Sequence, residues 1–144
     1  MYADSDYEFI IMDSGCTTPI LNDPKLFRSL KPSNATVRTA DKTEIAMQQE
    51  GPADIMVLDQ HGTEHNIHLP RAFLCKDMHK LLSVKQLVRC DHSVTFDKRG
   101  STLGVNGHTV PLHLKDNLYQ LRYCAHRSTD IAAYTSAHST TKPS

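Results

Sequence analysis

Asp13-Ser14-Gly15 follows the apolar run Phe9-Ile10-Ile11-Met12, so a carboxylate stands where a buried segment ends, with a small hydroxyl residue and a glycine directly after it. A carboxylate can take a proton from water or give one to a carbonyl oxygen, but a single group does not do both at once. Two carboxylates about 3 Å apart share one proton: the ionised member activates water while the protonated one polarises the carbonyl under attack. The Asp-Ser-Gly turn occurs once in the chain. The second carboxylate is therefore expected from a second copy, and the apparent pKa values belong to the pair. In this reading Asp13 is catalytic. Ser14 supplies a donor and two acceptor lone pairs for tying two facing turns together. Gly15 permits a sharp turn and close approach of a bound backbone.

The elements that must position this turn are short. Phe9–Met12 reads as a buried strand, and residues 13–18 as a turn or loop. Asp23-Pro24 resembles a helix start, with Leu26, Phe27 and Leu30 facing inward. Residues 36–39 and 44–47 flank a polar tip at 40–43 and predict a β-hairpin. Residues 53–59 and 64–69 predict a second strand pair around His61-Gly62, ended at Pro70 because proline gives a sheet no N–H. Residues 71–74 form a further short strand. Ser83 is placed to cap a short helix that turns Leu87 and Val88 inward. Residues 92–97 alternate as a half-exposed strand, and Asn106-Gly107 is a strong hairpin signal before residues 109–114. Residues 118–121 close the patterned region, and beyond Ala125 apolar periodicity stops.

Composition narrows the function classes. A chain of 144 residues fits one domain. Its 16 basic and 16 acidic residues cancel, and no basic stripe recommends nucleic acid. Apolar runs of a few residues do not span a membrane, and the polar, acidic start lacks a signal-peptide pattern. Four cysteines without Cys-x-x-Cys spacing read as free thiols of a reducing compartment. The chain has nine histidines, among them the close groups His61, His65, His68 and His79, His92 beside Cys75 and Cys90. Their order matches no standard zinc-ligand spacing, so they are read as solvent-facing, and neither metal nor cofactor is expected.

Three stretches, in order, carry a resemblance. Phe9-Ile10-Ile11-Met12-Asp13-Ser14-Gly15-Cys16-Thr17, Leu81-Leu82-Ser83-Val84-Lys85-Gln86-Leu87 followed by Ser93-Val94-Thr95-Phe96-Asp97, and Asn117-Leu118-Tyr119-Gln120-Leu121 resemble the protease segment of a copia-type retrotransposon Gag-Pol polyprotein. The resemblance implies a mostly β, retropepsin-like closed β-barrel subunit with one or two short helices, active as a two-fold homodimer. It implies an aspartic endopeptidase that cleaves its own polyprotein, with Asp13 from each subunit catalytic and Ser14, Gly15, Cys16 and Thr17 shaping the turn. Leu81, Leu82 and Ser83 match the segment that supports the turn from behind. Residues 37–47 match the flap, with Val37, Thr39, Ala40, Asp41, Lys42 and Thr43 against a bound peptide, which would add as a strand. The domain is expected over residues 9–121, after an arm at 1–8 and before a flexible tail or linker at 122–144.

The partners implied are a second copy and a polyprotein or peptide substrate, with no nucleic acid and no membrane. The setting implied is the cytoplasm, including virus-like particles. The chain is expected to be either an excised polyprotein segment or a stand-alone descendant. It departs from the family pattern at Cys16, where alanine is usual, and at Lys42, where the flap tip usually has glycine. The Cys16 thiol is expected to donate weakly to the Asp13 carboxylate and to make activity sensitive to oxidation. These departures also support an alternative: a domesticated, non-catalytic module of the same fold used for protein binding or self-association.

Overall fold

The computed structural model describes residues 6–39 and 41–125. Ala40, expected at the flap tip, lies outside the described residues, as do 1–5 of the expected arm and 126–144 of the expected tail. Alternation along Tyr7–Asp13 sends Ile10 and Met12 into the core, which makes this segment strand β1. Burying side chains of this size stabilises by roughly 1.5–3 kcal/mol each, enough to hold β1 in the centre of a sheet.

The remaining strands are β2 (Ile20–Leu21), β3 (Lys31–Pro32), β4 (Thr36–Arg38), β5 (Glu44–Ala46), β6 (Gln49–Leu58), β7 (Glu64–Leu74) and β8 (Leu81–Ser83). Helix α1 (Val84–Arg89) follows, then β9 (Ser93–Thr95), β10 (Thr102–Val105), β11 (His108–Pro111), β12 (His113–Lys115) and β13 (Leu118–Cys124). The main sheet has eight strands in the order β12-β13-β1-β8-β2-β7-β6-β3. Strands β11, β10 and β9 form a small sheet that adds Leu103, Val105 and Val110 to the core. Hairpin β4–β5 stands apart as a ribbon. No helix among the described residues is long and apolar enough to cross a membrane.

The mostly β expectation is met, but the closed barrel is not. The main sheet ends at β12 and β3, which do not pair with each other. Instead the sheet curls until β13 packs on β6, so side chains rather than backbone hydrogen bonds complete the enclosure.

Several local expectations are corrected. Pro70 does not end β7, which continues to Leu74. The register with β6 steps from Ala53↔Leu69 to Gly51↔Ala72, so Pro70 and Pro52 both sit in a bulge, where a missing N–H breaks no ladder bond. The helix expected at Asp23 is one 3-10 turn, Pro24–Leu26, capped by the Asp23 carboxylate at 2.9 Å from the Lys25 N–H. Leu26 is buried there, and Phe27, already extended and bridging Ala53, packs half-buried against the main core. In α1, Leu87 is buried but Val88 points to solvent, because a six-residue helix has one narrow inner face.

The Asn106-Gly107 hairpin forms as expected, with φ of 52° and 80°. A second such turn, Asp116-Asn117 with φ of 53° and 63°, joins β12 to β13. β1 begins at Tyr7 and β13 ends at Cys124, and these two residues pair, so the ordered sheet extends past both expected boundaries.

Candidate active site

β1 delivers Asp13 to its C-terminal end, half-buried, and the chain turns at once through exposed Ser14 and Gly15. The Gly15 N–H donates to Asp13 Oδ1 at 2.7 Å, which fixes the orientation of the carboxylate. A Cβ at Gly15 would lie 3.2 Å from that same oxygen, so a larger residue there would press on the Asp13 carboxylate. Oδ2 has no hydrogen-bond partner among the described residues.

Leu81, Leu82 and Ser83, expected behind the turn, make up β8. β8 runs parallel to β1 with Ile11↔Leu81, Met12↔Leu82 and Asp13↔Ser83. Leu82 is fully buried in the main core with Met12, and Leu81 packs half-buried in a second cluster around Ile20, Met47 and Phe73. Ser83 is fully buried. Its hydroxyl donates to the Cys16 carbonyl at 2.8 Å and accepts the Gln86 N–H at 3.1 Å, so one side chain caps α1 and holds the far side of the turn.

Cys16 differs from expectation. Its Sγ faces the backbone carbonyl of Asp13 at 3.8 Å, not the carboxylate. Burial, reinforced by the nearby Asp13 charge, pushes the thiol up to about 11, so it is protonated at neutral pH and poorly oxidised. Thr17 is exposed beyond it.

The hairpin expected as a flap is anchored at its base. Val37 and Ile45 pack against the cluster of Ile20, Met47 and Phe73 that Leu81 also packs against, which links the ribbon to the strand behind Asp13. The tip is tied within itself. Thr39 Oγ1 donates to the Asp41 carboxylate, the Thr43 N–H donates to the same carboxylate at 3.1 Å, and the Lys42 N–H donates to the Thr39 carbonyl at 2.9 Å. The bonds from Thr39, the larger, and Thr43 hold the Asp41 carboxyl below its ordinary range. Lys42 has φ of 69°, the left-handed conformation that glycine adopts without strain.

Three groupings were not legible in the sequence. Gln86 Nε2 donates to the Arg71 carbonyl at 3.0 Å, stitching α1 to β7. The histidines grouped by sequence do not converge. His61 is exposed at the β6–β7 turn, whereas His68 joins Arg28 and Asn66 around the buried Asp54 carboxylate. Burial pushes that carboxyl up, but the three donors outweigh it and leave it below its usual value. His65 is not solvent-facing, since it turns inward to Asp59 and meets His108 from another hairpin. Neighbourhood along the chain pointed to His61 and His68 because strand register, which pairs His65 with Val57, is a long-range property.

Fold and site together define a small β-rich domain built around one acidic turn, with a parallel strand and a capped helix behind it. The chain belongs to the Pol polyprotein beta-barrel domain family, whose model matches residues 10–92, more than half of the sequence, from within β1 through α1. It is therefore a Pol polyprotein-derived domain, which associates it with the functions of retroelement Pol. No solved structure matches the chain.

Proposed function

We propose that this domain is the aspartic endopeptidase of a copia-type retrotransposon, cleaving its Gag-Pol polyprotein as a two-fold homodimer. The observation that carries the reading is the Asp13 carboxylate, held through Oδ1 by the Gly15 N–H on an exposed turn, with Oδ2 free of hydrogen bonds from the described residues. One subunit supplies one such turn. Two turns facing across an axis supply the proton-sharing pair that water activation requires. The ionised Asp13 takes the proton of the attacking water. The protonated Asp13 donates to the carbonyl oxygen of the scissile bond; as the C–N bond breaks, the Asp13 that took the water's proton passes it to the departing amine, and its mate recovers a proton from a hydroxyl of the tetrahedral intermediate.

The remaining residues act by positioning. Ser14 faces its counterpart across the axis. Ser83, Leu81 and Leu82 keep the turn in place from behind. The ribbon carrying Asp41, Lys42 and Thr43 closes over the peptide, which adds as a strand between ribbon and floor. The setting is the cytoplasm, including virus-like particles.

The test measures oligomeric state and cleavage of a peptide from the polyprotein junctions together. Cleavage rises more than linearly with protein concentration near the dimer dissociation constant, and a transition-state analogue of peptide hydrolysis inhibits it. Asp13→Asn lowers it by about a thousandfold or more while the unfolding midpoint is retained. Turnover by Asp13→Asn equal to that of the parent removes the reading. A folded, self-associating parent without cleavage transfers the fold to the alternative role of a non-catalytic binding module.

A further inference from the structure

Two imidazoles from separate hairpins meet at one oxygen of a buried carboxylate. Asp59 follows β6, His65 lies early in β7, and His108 opens β11. Asp59 Oδ1 is occupied by the N–H groups of His61 at 2.8 Å and Thr63 at 3.0 Å, which locks the carboxylate. Its Oδ2 then faces His65 Nε2 at 2.8 Å and His108 Nδ1 at 3.6 Å. The two imidazoles lie with centroids 4.4 Å apart at 34°, and the three candidate ligand atoms are all within 4.8 Å of one another. The hairpins are joined beside them by the Gln60 N–H, which donates to the Thr109 carbonyl at 2.8 Å.

We propose that Asp59, His65 and His108 form a binding site for one divalent transition-metal ion of the zinc type, which clamps the β6–β7 hairpin to the β10–β11 hairpin. Two imidazoles and a carboxylate are a donor set that suits such an ion. Bonds of about 2.0–2.2 Å in a tetrahedron separate donor atoms by about 3.4 Å. The separations at Asp59 Oδ2 of 2.8 and 3.6 Å bracket that value, so small side-chain rotations suffice. A hydrogen-bonded Asp–His pair accounts for Asp59 and His65 alone. It does not account for the second imidazole, which directs its own nitrogen at the same oxygen.

The carboxylate and His65 are buried, with side chains 2% and 9% exposed, while His108 is 51% exposed and opens the site to solvent. That side provides the entry path and room for a water as fourth ligand. The two N–H groups on Oδ1 perform the orienting task that outer hydrogen bonds perform at metal sites. The assignment depends on the hairpins and is independent of any role for Asp13.

The test uses the full chain, stripped with a chelator and titrated with Zn2+ by calorimetry and with Co2+ by absorption. The expected result is one ion per chain, visible-range Co2+ bands, and a melting temperature raised on the order of 10 °C at a hundredfold excess over Kd. His108→Ala and His108→Asn, at an exposed position, keep the metal-free melting temperature and weaken Zn2+ binding by about a hundredfold or more. Absence of saturable binding by the parent overturns the assignment. So does unchanged affinity in both His108 variants, since the ion would then reside on other histidines or cysteines.

Discussion

Ser83 Oγ donates to the carbonyl oxygen of Cys16 at 2.8 Å, joining the N-cap of α1 to the turn that begins at Asp13. Ser83 Oγ in turn accepts the Gln86 N–H, so Ser83→Ala removes the cap and the tie in one change, at a fully buried position. A loss of about 1–2 kcal/mol is expected, read from the urea midpoint at constant m-value. In the proposed protease, peptide cleavage falls further than the midpoint explains, because the turn loses its rear support. An unchanged midpoint would show that the bond contributes nothing to stability.

Cys16 is expected to be a quiet thiol. Burial and the adjacent Asp13 charge raise it to about 11, and reactivity follows the thiolate. Alkylation of Cys16 by iodoacetamide is slow at pH 7 and accelerates as pH approaches that value, followed by peptide mass spectrometry. Correspondingly, Cys16→Ala leaves the peroxide sensitivity of cleavage where it is in the parent, contrary to the expectation from sequence adjacency.

Acid stability depends on Glu50. Its carboxylate receives Arg71 Nε at 2.9 Å and Nη2 at 3.1 Å, and this pair holds its pKa down to about 2 from 4.5. A depressed pKa in the folded state means that the contribution is present above about 4.5 and is lost as pH falls through about 2. Glu50→Gln therefore flattens the dependence of the urea midpoint on pH in that window. Asp59, also lowered to about 2, chiefly by its hydrogen bond from His65, leaves a residual slope of the same sign.

Gly51 is a steric requirement of the β6 bulge. A Cβ there would stand 2.0 Å from the Ser29 carbonyl oxygen, a backbone atom that cannot rotate away. Gly51→Ala is expected to cost about 3 kcal/mol. Gly62→Ala, in open space but at φ of 82°, costs only about 1 kcal/mol for its left-handed backbone. Thermal melts of the two variants should rank in that order, and the reverse order would contradict the close approach of β6 to Ser29.

Features legible from the residues alone were the local ones. The apolar run into Asp13-Ser14-Gly15, the ribbon at 36–46, the Ser83 cap and the Asn106-Gly107 turn all follow from side-chain period, capping and φ preference. Each involves residues a few positions apart, and the physics that selects them is equally short in range. Partnerships over long separations were hidden. The register that carries β7 through Pro70, the open sheet whose β13 leans on β6, and the meeting of Asp59, His65 and His108 all depend on which strands lie side by side. Strand pairing leaves only a weak mark on any single strand's sequence, because the backbone hydrogen bonds that set it are the same for every residue type except proline.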